Sequence, residues 1–440
     1  MRRFLLIIAL LALYPAGLFS QSESVVRMKE NVMKLTSDTF LGREVGSDGE
    51  RAAAKEIAVQ FKEAGLVLLY PEDTGQSFSY IINDTDTLNS QNVVAIVEGW
   101  DKELKHEYIV VGAHYDHLGY ITSSINSKDS IQIFRGADDN ASGVAAMLEL
   151  ARLVNMQSID FRRSVVFVAF GGEEVGMSGS WYFVNSGFEY IDKVAMMVNL
   201  DMVGRGADRN SFYAYTITKS QQLPGILSDL SDTEAMVSPT ISESDYFPSD
   251  HRYFSNRGIP SVLFTTGLHH DYHSTRDIPE KLNYRVMEDI VQYNLLLLKR
   301  VANMDKPLLK TSPGGNEVLA RVDGVYMQNE VDNRATYRRG NERTFLANWV
   351  YKYIKYPKST VDEGVQGRVV VEFIIEKSGE VSNVNIVNSV DERLDAGVLK
   401  VVKASPKWKP ATINKEPVRV KTSIPVEFKL TKDSRIRLKR

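Results

Sequence analysis

The sequence predicts an α/β domain on a mostly parallel sheet covered by helices on both faces, followed by a small α+β unit. Three observations carry this. Strand-like and helix-like stretches alternate over residues 24–304. Three of the runs, YIVVGA (108–113), VVFVAF (165–170) and VAMMVNL (194–200), are apolar almost without interruption, as strands buried on both faces are. Charge also divides along the chain. Up to Asp305 there are 27 Lys+Arg against 40 Asp+Glu, and from Lys306 onward 26 against 16, so two bodies with different partners are expected.

Taken in order, the chain opens with MRRFLLIIALLALYPAGLFS, two arginines before an apolar run broken by Pro15. This is the pattern of a secretory signal peptide over residues 1–20. The run is short for a membrane span, so an exported protein, periplasmic or associated with the cell envelope, is expected. Residues 47–65 have a polar start, Ala52, Ile57, Phe61 and Ala64 inside, and Gly65 as a stop, which predicts a helix. A strand over 92–97 and the strand over 108–113 follow. Residues 119–135 are polar and read as a loop, a lid or specificity element. A central helix is expected from GADDNASGVAAMLELARL (136–153), where Val144, Met147, Leu148 and Ala151 recur at helical spacing. Asn140 and Ser142 suit a helix cap, and Gly143 admits a close backbone. Beyond it come strands at 165–170, 194–200 and 261–264, with helices at 178–185, 221–230 and 282–302.

Composition bounds the chemistry. With 440 residues, 43% hydrophobic and 25% charged, the chain is long enough for two globular domains. It has no cysteine, so disulfides and thiolate metal sites are excluded, and any metal is held by His, Asp and Glu. All seven histidines lie between His106 and His273, in the first body. His114 and Asp116 follow the strand ending at Ala113. Glu173 and Glu174 follow the strand ending at Phe170, and Asp201 follows the one ending at Leu200. His273 lies after the strand ending at Phe264, and Asp139 opens the central helix. Open α/β sheets bind ligands beyond the carboxyl ends of their strands, and all of these residues fall there.

Two histidines with carboxylates and no thiol suit zinc, with cobalt or manganese as substitutes. If two ions bind, one carboxylate bridges them at a separation of roughly 3.5–4 Å. Asp139, flanked by Asn140 and Ser142, is the candidate bridge. Asp116, two residues from His114, is placed to orient that imidazole. Of Glu173 and Glu174, one is expected to ligate and the other to act as general base. His117 reads as a hydrogen-bonding neighbour, His269 and His270 as loop residues bordering the pocket, and His251 as a surface histidine or, where SDHRYF (249–254) resembles a substrate-side loop of the family named below, as part of such a loop.

HYDHLG (114–119), GADDNASG (136–143), FGGEEVGMSGS (170–180), NLDMVG (199–204) and DYHSTRD (271–277) together resemble the co-catalytic dizinc aminopeptidases of metallopeptidase family twenty-eight, over residues 24–303. The resemblance implies one zinc on His114, Asp139 and Asp201 and a second on Asp139, Glu174 and His273. It implies Glu173 as general base and Tyr272 as hydroxyl donor to the oxyanion, acting on a peptide with a free N-terminus. Arg276 stands where the family commonly has proline.

Residues 305–325, with Pro307, Pro313 and a Gly pair, predict a linker, and residues 326–432 a second domain. Its order is a helix at 344–356, strands at 367–376 and 381–387, a helix at 394–404 and a strand at 418–430. YPKSTVDEGVQGRVVVEFIIEKSGEV (356–381), LDAGVLKVV (394–402), PKWKP (406–410) and PVEFKL (425–430) resemble the TonB C-terminal domain. That implies docking to an envelope or outer-membrane protein by strand addition; no nucleic-acid partner is expected. Two alternatives remain at this level: a single-zinc glutaminyl cyclase on the same fold, and a non-catalytic envelope adaptor acting through the second domain.

Overall fold

The computed structural model describes residues 22–430 except 82–86, 126–127, 217–221, 244–247, 311–324, 328–330, 332 and 414. The leader expected over residues 1–20 and most of the expected linker lie outside the described residues.

The strands of the first body are β1 (Val67–Leu68), β2 (Gln76–Ile81), β3 (Thr87–Val97), β4 (Tyr108–His114), β5 (Tyr120–Ile125) and β6 (Lys128–Ile133). They continue with β7 (Ser164–Phe170), β8 (Val194–Leu200), β9 (Tyr213–Thr216), β10 (Thr240–Ser242) and β11 (Ser261–Thr265). Its helices are α1 (Glu23–Leu35), α2 (Asp48–Glu63), α3 (Gly143–Met156), α4 (Ser178–Tyr182), α5 (Gln222–Thr233), α6 (His251–Asn256) and α7 (Tyr284–Ala302). One sheet runs β1-β3-β7-β4-β8-β11-β9-β10, with β2 beside β3. Its centre, β7-β4-β8-β11, is parallel, while β3 joins β7 and β9 joins β11 antiparallel. The sheet is therefore parallel where the apolar runs lie and antiparallel at its flanks.

Those runs are buried at every position because both faces are covered. On one face Ile109, Val111, Val165, Phe167 and Val198 pack with Ile57 and Phe61 of α2, Met147 and Leu150 of α3, and Ile290 and Leu298 of α7. On the other, Val110, Val166, Val168 and Met197 pack with Phe183, Phe188, Ile191 and Phe254. Each such side chain contributes about 1.5–3 kcal/mol relative to exposure.

Two expectations are corrected. Residues 119–135 are not a plain loop: β5 and β6 pair antiparallel, Ile121 opposite Gln132 and Thr122 opposite Ile131. Ile121, Thr122 and Ile131 are β-branched and favour the extended backbone. The central helix begins at Gly143, not at the two aspartates. Residues 137–142 form a wide turn in which Asp139 (φ −107°, ψ 91°) and Asn140 (φ −132°, ψ 43°) leave helical geometry. The Asn140 side chain replaces the missing backbone bonds. Its Oδ1 accepts from Gly143 N (3.0 Å) and Met202 N (3.1 Å), and its Nδ2 donates to Leu200 O (2.9 Å). A Cβ on Gly143 would lie 2.3 Å from Leu200 O, so only glycine permits this approach.

The second body has its own sheet and core. β12 (Val325–Met327), β13 (Gly367–Ile375), β14 (Val381–Asn388), β15 (Ala411–Ile413) and β16 (Glu416–Phe428) give the order β12-β16-β13-β14, with β15 on β16. Short helices α8 (Glu342–Phe345), α9 (Tyr351–Tyr353) and α10 (Lys358–Asp362) precede β13, and α11 (Glu392–Lys403) follows β14. The single helix expected over 344–356 is broken by a wide turn at 346–350. Leu394, Val398 and Val402 of α11 face Val369, Val371, Phe373, Val426 and Trp408.

Candidate metal centre

Parallel β4, β7, β8 and β11 all end at one edge of the sheet, and that places their following loops together. His114 is the last residue of β4, Glu173 and Glu174 follow β7 on a glycine turn, Asp201 follows β8, and His273 lies in the loop after β11. Asp139 enters from the turn before α3.

These side chains meet in two groups that share Asp139. His114 Nε2 lies 3.3 Å from Asp139 Oδ1 and 3.5 Å from Asp201 Oδ1. His273 Nε2 lies 3.1 Å from Asp139 Oδ2 and 3.3 Å from Glu174 Oε2. The ligand atoms of His114, Asp139 and Asp201 all fall within 4.8 Å of one another, as do those of His117, Asp139 and Glu174. His117 Nδ1 is 2.8 Å from Glu174 Oε1 and 3.7 Å from Asp139 Oδ2. The sequence reading of His117 as a hydrogen-bonding neighbour understates how close it stands to the second group. Glu173 belongs to neither group.

The electrostatics are those of a buried anionic cluster. Burial opposes ionisation of Asp139, but His114 and His273 outweigh it and hold its pKa well below the usual range. Glu174 is likewise opposed by burial and brought down to about 2, chiefly by His273. Burial also works against charge on His114, yet Asp201, Asp116 and Asp139 hold its pKa well above normal. Glu173 moves the other way: burial raises its pKa well above the usual value, and Glu174, Asp250 and Asp201 add to that. Asp139 Oδ2 and His117 Nε2 are buried without a well-aligned hydrogen bond. An anion so placed is costly, and a divalent cation among these N and O donors satisfies it.

A second layer fixes the groups. The Asp116 carboxylate was expected to orient His114. It stands 3.7 Å from His114 Nδ1, and it also accepts from the backbone N–H of Glu173 (3.0 Å) and Glu174 (3.1 Å), fixing the glutamate turn. That imidazole nitrogen is 3.2 Å from the Asp116 carbonyl oxygen. Asp277 Oδ2 accepts from the N–H of Asp138 (2.9 Å) and Asp139 (3.0 Å). Ser249 Oγ donates to Asp201 Oδ2 (2.5 Å) and accepts from Asn199 Nδ2 (2.7 Å). Asp138 accepts from Gly204 N (2.7 Å) and pairs with His269 Nε2 (3.1 Å). Sequence reasoning missed Asp277 and Ser249, which lie only a few residues from the expected ligand and substrate loops. Tyr272 stacks on His273, ring centroids 3.7 Å apart, and burial raises its pKa well above the usual value. His251 is neither a surface nor a loop residue: it starts α6, is fully buried, and burial lowers its pKa to about 3.

Residues 92–298 match Peptidase family M28, and residues 352–430 match the Gram-negative bacterial TonB protein C-terminal family. The chain is 27% identical over 278 residues to Aminopeptidase YwaD of Bacillus subtilis, covering 58% of this chain and 57% of that protein. It is 28% identical over 240 residues to a Probable leucine aminopeptidase of Arthroderma otae, covering 49% and 63%. The chain thus spans between about half and two thirds of these relatives' length. Among solved structures, the Legionella pneumophila LapA aminopeptidase superposes with a TM-score of 0.51 at 21% identity, over 64% of this chain and 73% of that one. At that identity the likeness is one of fold.

Proposed function

From the match of residues 92–298 to Peptidase family M28 and of residues 352–430 to the TonB C-terminal family, we infer an exported zinc exopeptidase that removes N-terminal residues from peptides. The observation that carries this is the divided carboxylate of Asp139, with Oδ1 toward His114 and Asp201 and Oδ2 toward His273 and Glu174. One carboxylate serving two ligand sets is what a pair of divalent cations requires. The sulfur-free donors suit zinc, with cobalt or manganese as substitutes. Bound in these sets, zinc supplies a Lewis acid for the scissile carbonyl and a water acidic enough to ionise near neutral pH.

The chain's own groups do the rest. Glu173 stands outside both ligand sets on a turn fixed by Asp116, so its carboxylate is available to take the water's proton and return it to the leaving amine. Tyr272, beside His273, offers its hydroxyl to the developing oxyanion. Asp116, Asp277 and Ser249 hold the ligand loops, so little reorganisation is needed during reaction. The names of the two curated relatives described above, both aminopeptidases, support a substrate with a free N-terminus. The second domain is read as an envelope-docking module, and the leader as the route of export. Among the described residues no helix is long and apolar enough to cross a membrane.

Replacing Glu173 with Gln tests the assignment. The variant is expected to keep its metal and lose about two to four decades of kcat. Unchanged kcat with metal retained contradicts the role of Glu173.

A further inference from the structure

The stretch TFLGRE lies outside the residues that match the peptidase family, yet it touches the loops on which the metal ligands stand. Leu41, Gly42 and Arg43 are left-handed in succession, with φ 44°, 73° and 56°. Two of these carry side chains, a conformation that costs of order 1–2 kcal/mol each. At Gly42 a Cβ would lie 2.1 Å from Gly119 O and 2.6 Å from Phe134 O, so glycine is required for the close approach.

This backbone turns Arg43 inward until it is 0% exposed. Its guanidinium donates from Nε to Tyr115 O (2.7 Å), from Nη1 to Leu35 O (2.7 Å) and Arg135 O (2.8 Å), and from Nη2 to Gly136 O (3.0 Å). Tyr115 stands between His114 and Asp116, and Gly136 opens the turn that carries Asp139. The backbone adds to this: His117 N donates to Arg43 O (3.1 Å) and Gly119 N to Gly42 O (2.9 Å). Burial lowers the Arg43 pKa to about 10, with Asp139, Asp116, Asp277 and Glu174 opposing, so the side chain is a cation at neutral pH.

We propose that Arg43 is a positioning residue of the metal centre, whose guanidinium locks the His114 loop to the Asp139 loop so that both ligand sets are held in one geometry. The inference rests on the reading of that centre as a zinc site. A planar fork with five donors meets four carbonyls in fixed directions, and an ammonium does not. Arg43→Lys therefore keeps the charge and removes the lock. Arg163 is the matching control: it too is fully buried, and it donates to the carbonyls of Val301 and Ala302 at the end of α7, outside both ligand sets.

The test is zinc affinity of the full chain by chelator competition, together with the gain in Tm that zinc confers on the metal-free protein. Arg43→Lys is expected to weaken zinc binding about 10–100-fold and shrink that gain, while Arg163→Lys lowers Tm with and without zinc and leaves affinity unchanged. Equal zinc affinity in Arg43→Lys and wild type overturns the proposal, whereas a wild type that binds no zinc overturns the metal reading itself. If Arg43→Lys does not fold, hydrogen exchange of the wild type decides. Zinc is expected to raise protection at the His117 and Gly119 amides, and unchanged protection there overturns the proposal.

Discussion

At the scale of single residues, the centre divides into side chains that meet in the two donor groups and side chains that hold the loops carrying them. His114, Asp139, Glu174, Asp201 and His273 come together because each stands at or beyond the carboxyl end of a strand or in the turn before α3; chain position made that rim legible, while the choice of Glu174 over Glu173 came only from the family resemblance. Asp277 and Arg43 were not, because they act through backbone N–H or C=O groups, nor was Ser249, which joins the side chains of Asp201 and Asn199 some fifty residues away; such bonds leave no periodicity. Asp271, by contrast, is held by side chains. Lys281 Nζ (2.8 Å), Arg205 Nη2 (3.1 Å) and Arg276 Nε (3.0 Å) all bond its carboxylate, and Lys281 first among them holds its pKa well below the usual range. It anchors the loop that carries Tyr272 and His273. Asp271→Asn is expected to lower kcat about tenfold or more, since small displacements of a reacting group are costly. A variant with unchanged kcat separates the anchor from the chemistry. His117 offers a second check: His117→Ala is expected to weaken zinc binding about 10–100-fold through lost support of Glu174, with His117→Gln closer to wild type because it retains a donor.

At the scale of elements, the apolar runs gave the central strands within a residue or so, since burial on both faces leaves little freedom in composition. The polar hairpin of β5 and β6 was read as a loop because its alternation is weak. Helix α1 shows a clear stripe, Val25, Met28, Val32 and Leu35, but the leader-like run before it obscures where the folded chain begins. This helix is tied to α3 through Glu149. The carboxylate accepts from Ser24 Oγ (2.5 Å), Arg27 Nε (2.9 Å) and Arg152 Nη2 (2.7 Å). Burial opposes its charge, but Arg152, Arg27 and Ser24 outweigh it and bring the pKa down to about 2. A depressed carboxylate stabilises the fold above its unfolded pKa, about 4.3, and that contribution is lost as pH falls through about 2. Glu149→Gln is thus expected to cost about 1–2 kcal/mol at pH 7, with the gap to wild type closing between those two values. Urea unfolding at several pH values measures it, and a gap independent of pH contradicts the assignment.

At the scale of the molecule, charge asymmetry and the change from long apolar runs to an alternating α-β-β-α-β pattern made two bodies legible. The structure gives each its own sheet and its own hydrophobic core. What the sequence did not carry was the antiparallel flanks of the large sheet, because pairing direction is set by crossover connections rather than by strand composition. All the candidate ligands stand on the first body, where the proposed chemistry belongs, and docking is the role proposed for the second. The most direct measurement is made on the purified chain: zinc per chain, with hydrolysis of matched peptides bearing free or acetylated N-termini. Two zinc ions per chain and cleavage of the free-amine peptide alone are expected. A single zinc with cyclisation of N-terminal glutamine, or cleavage of the acetylated peptide, would contradict this expectation.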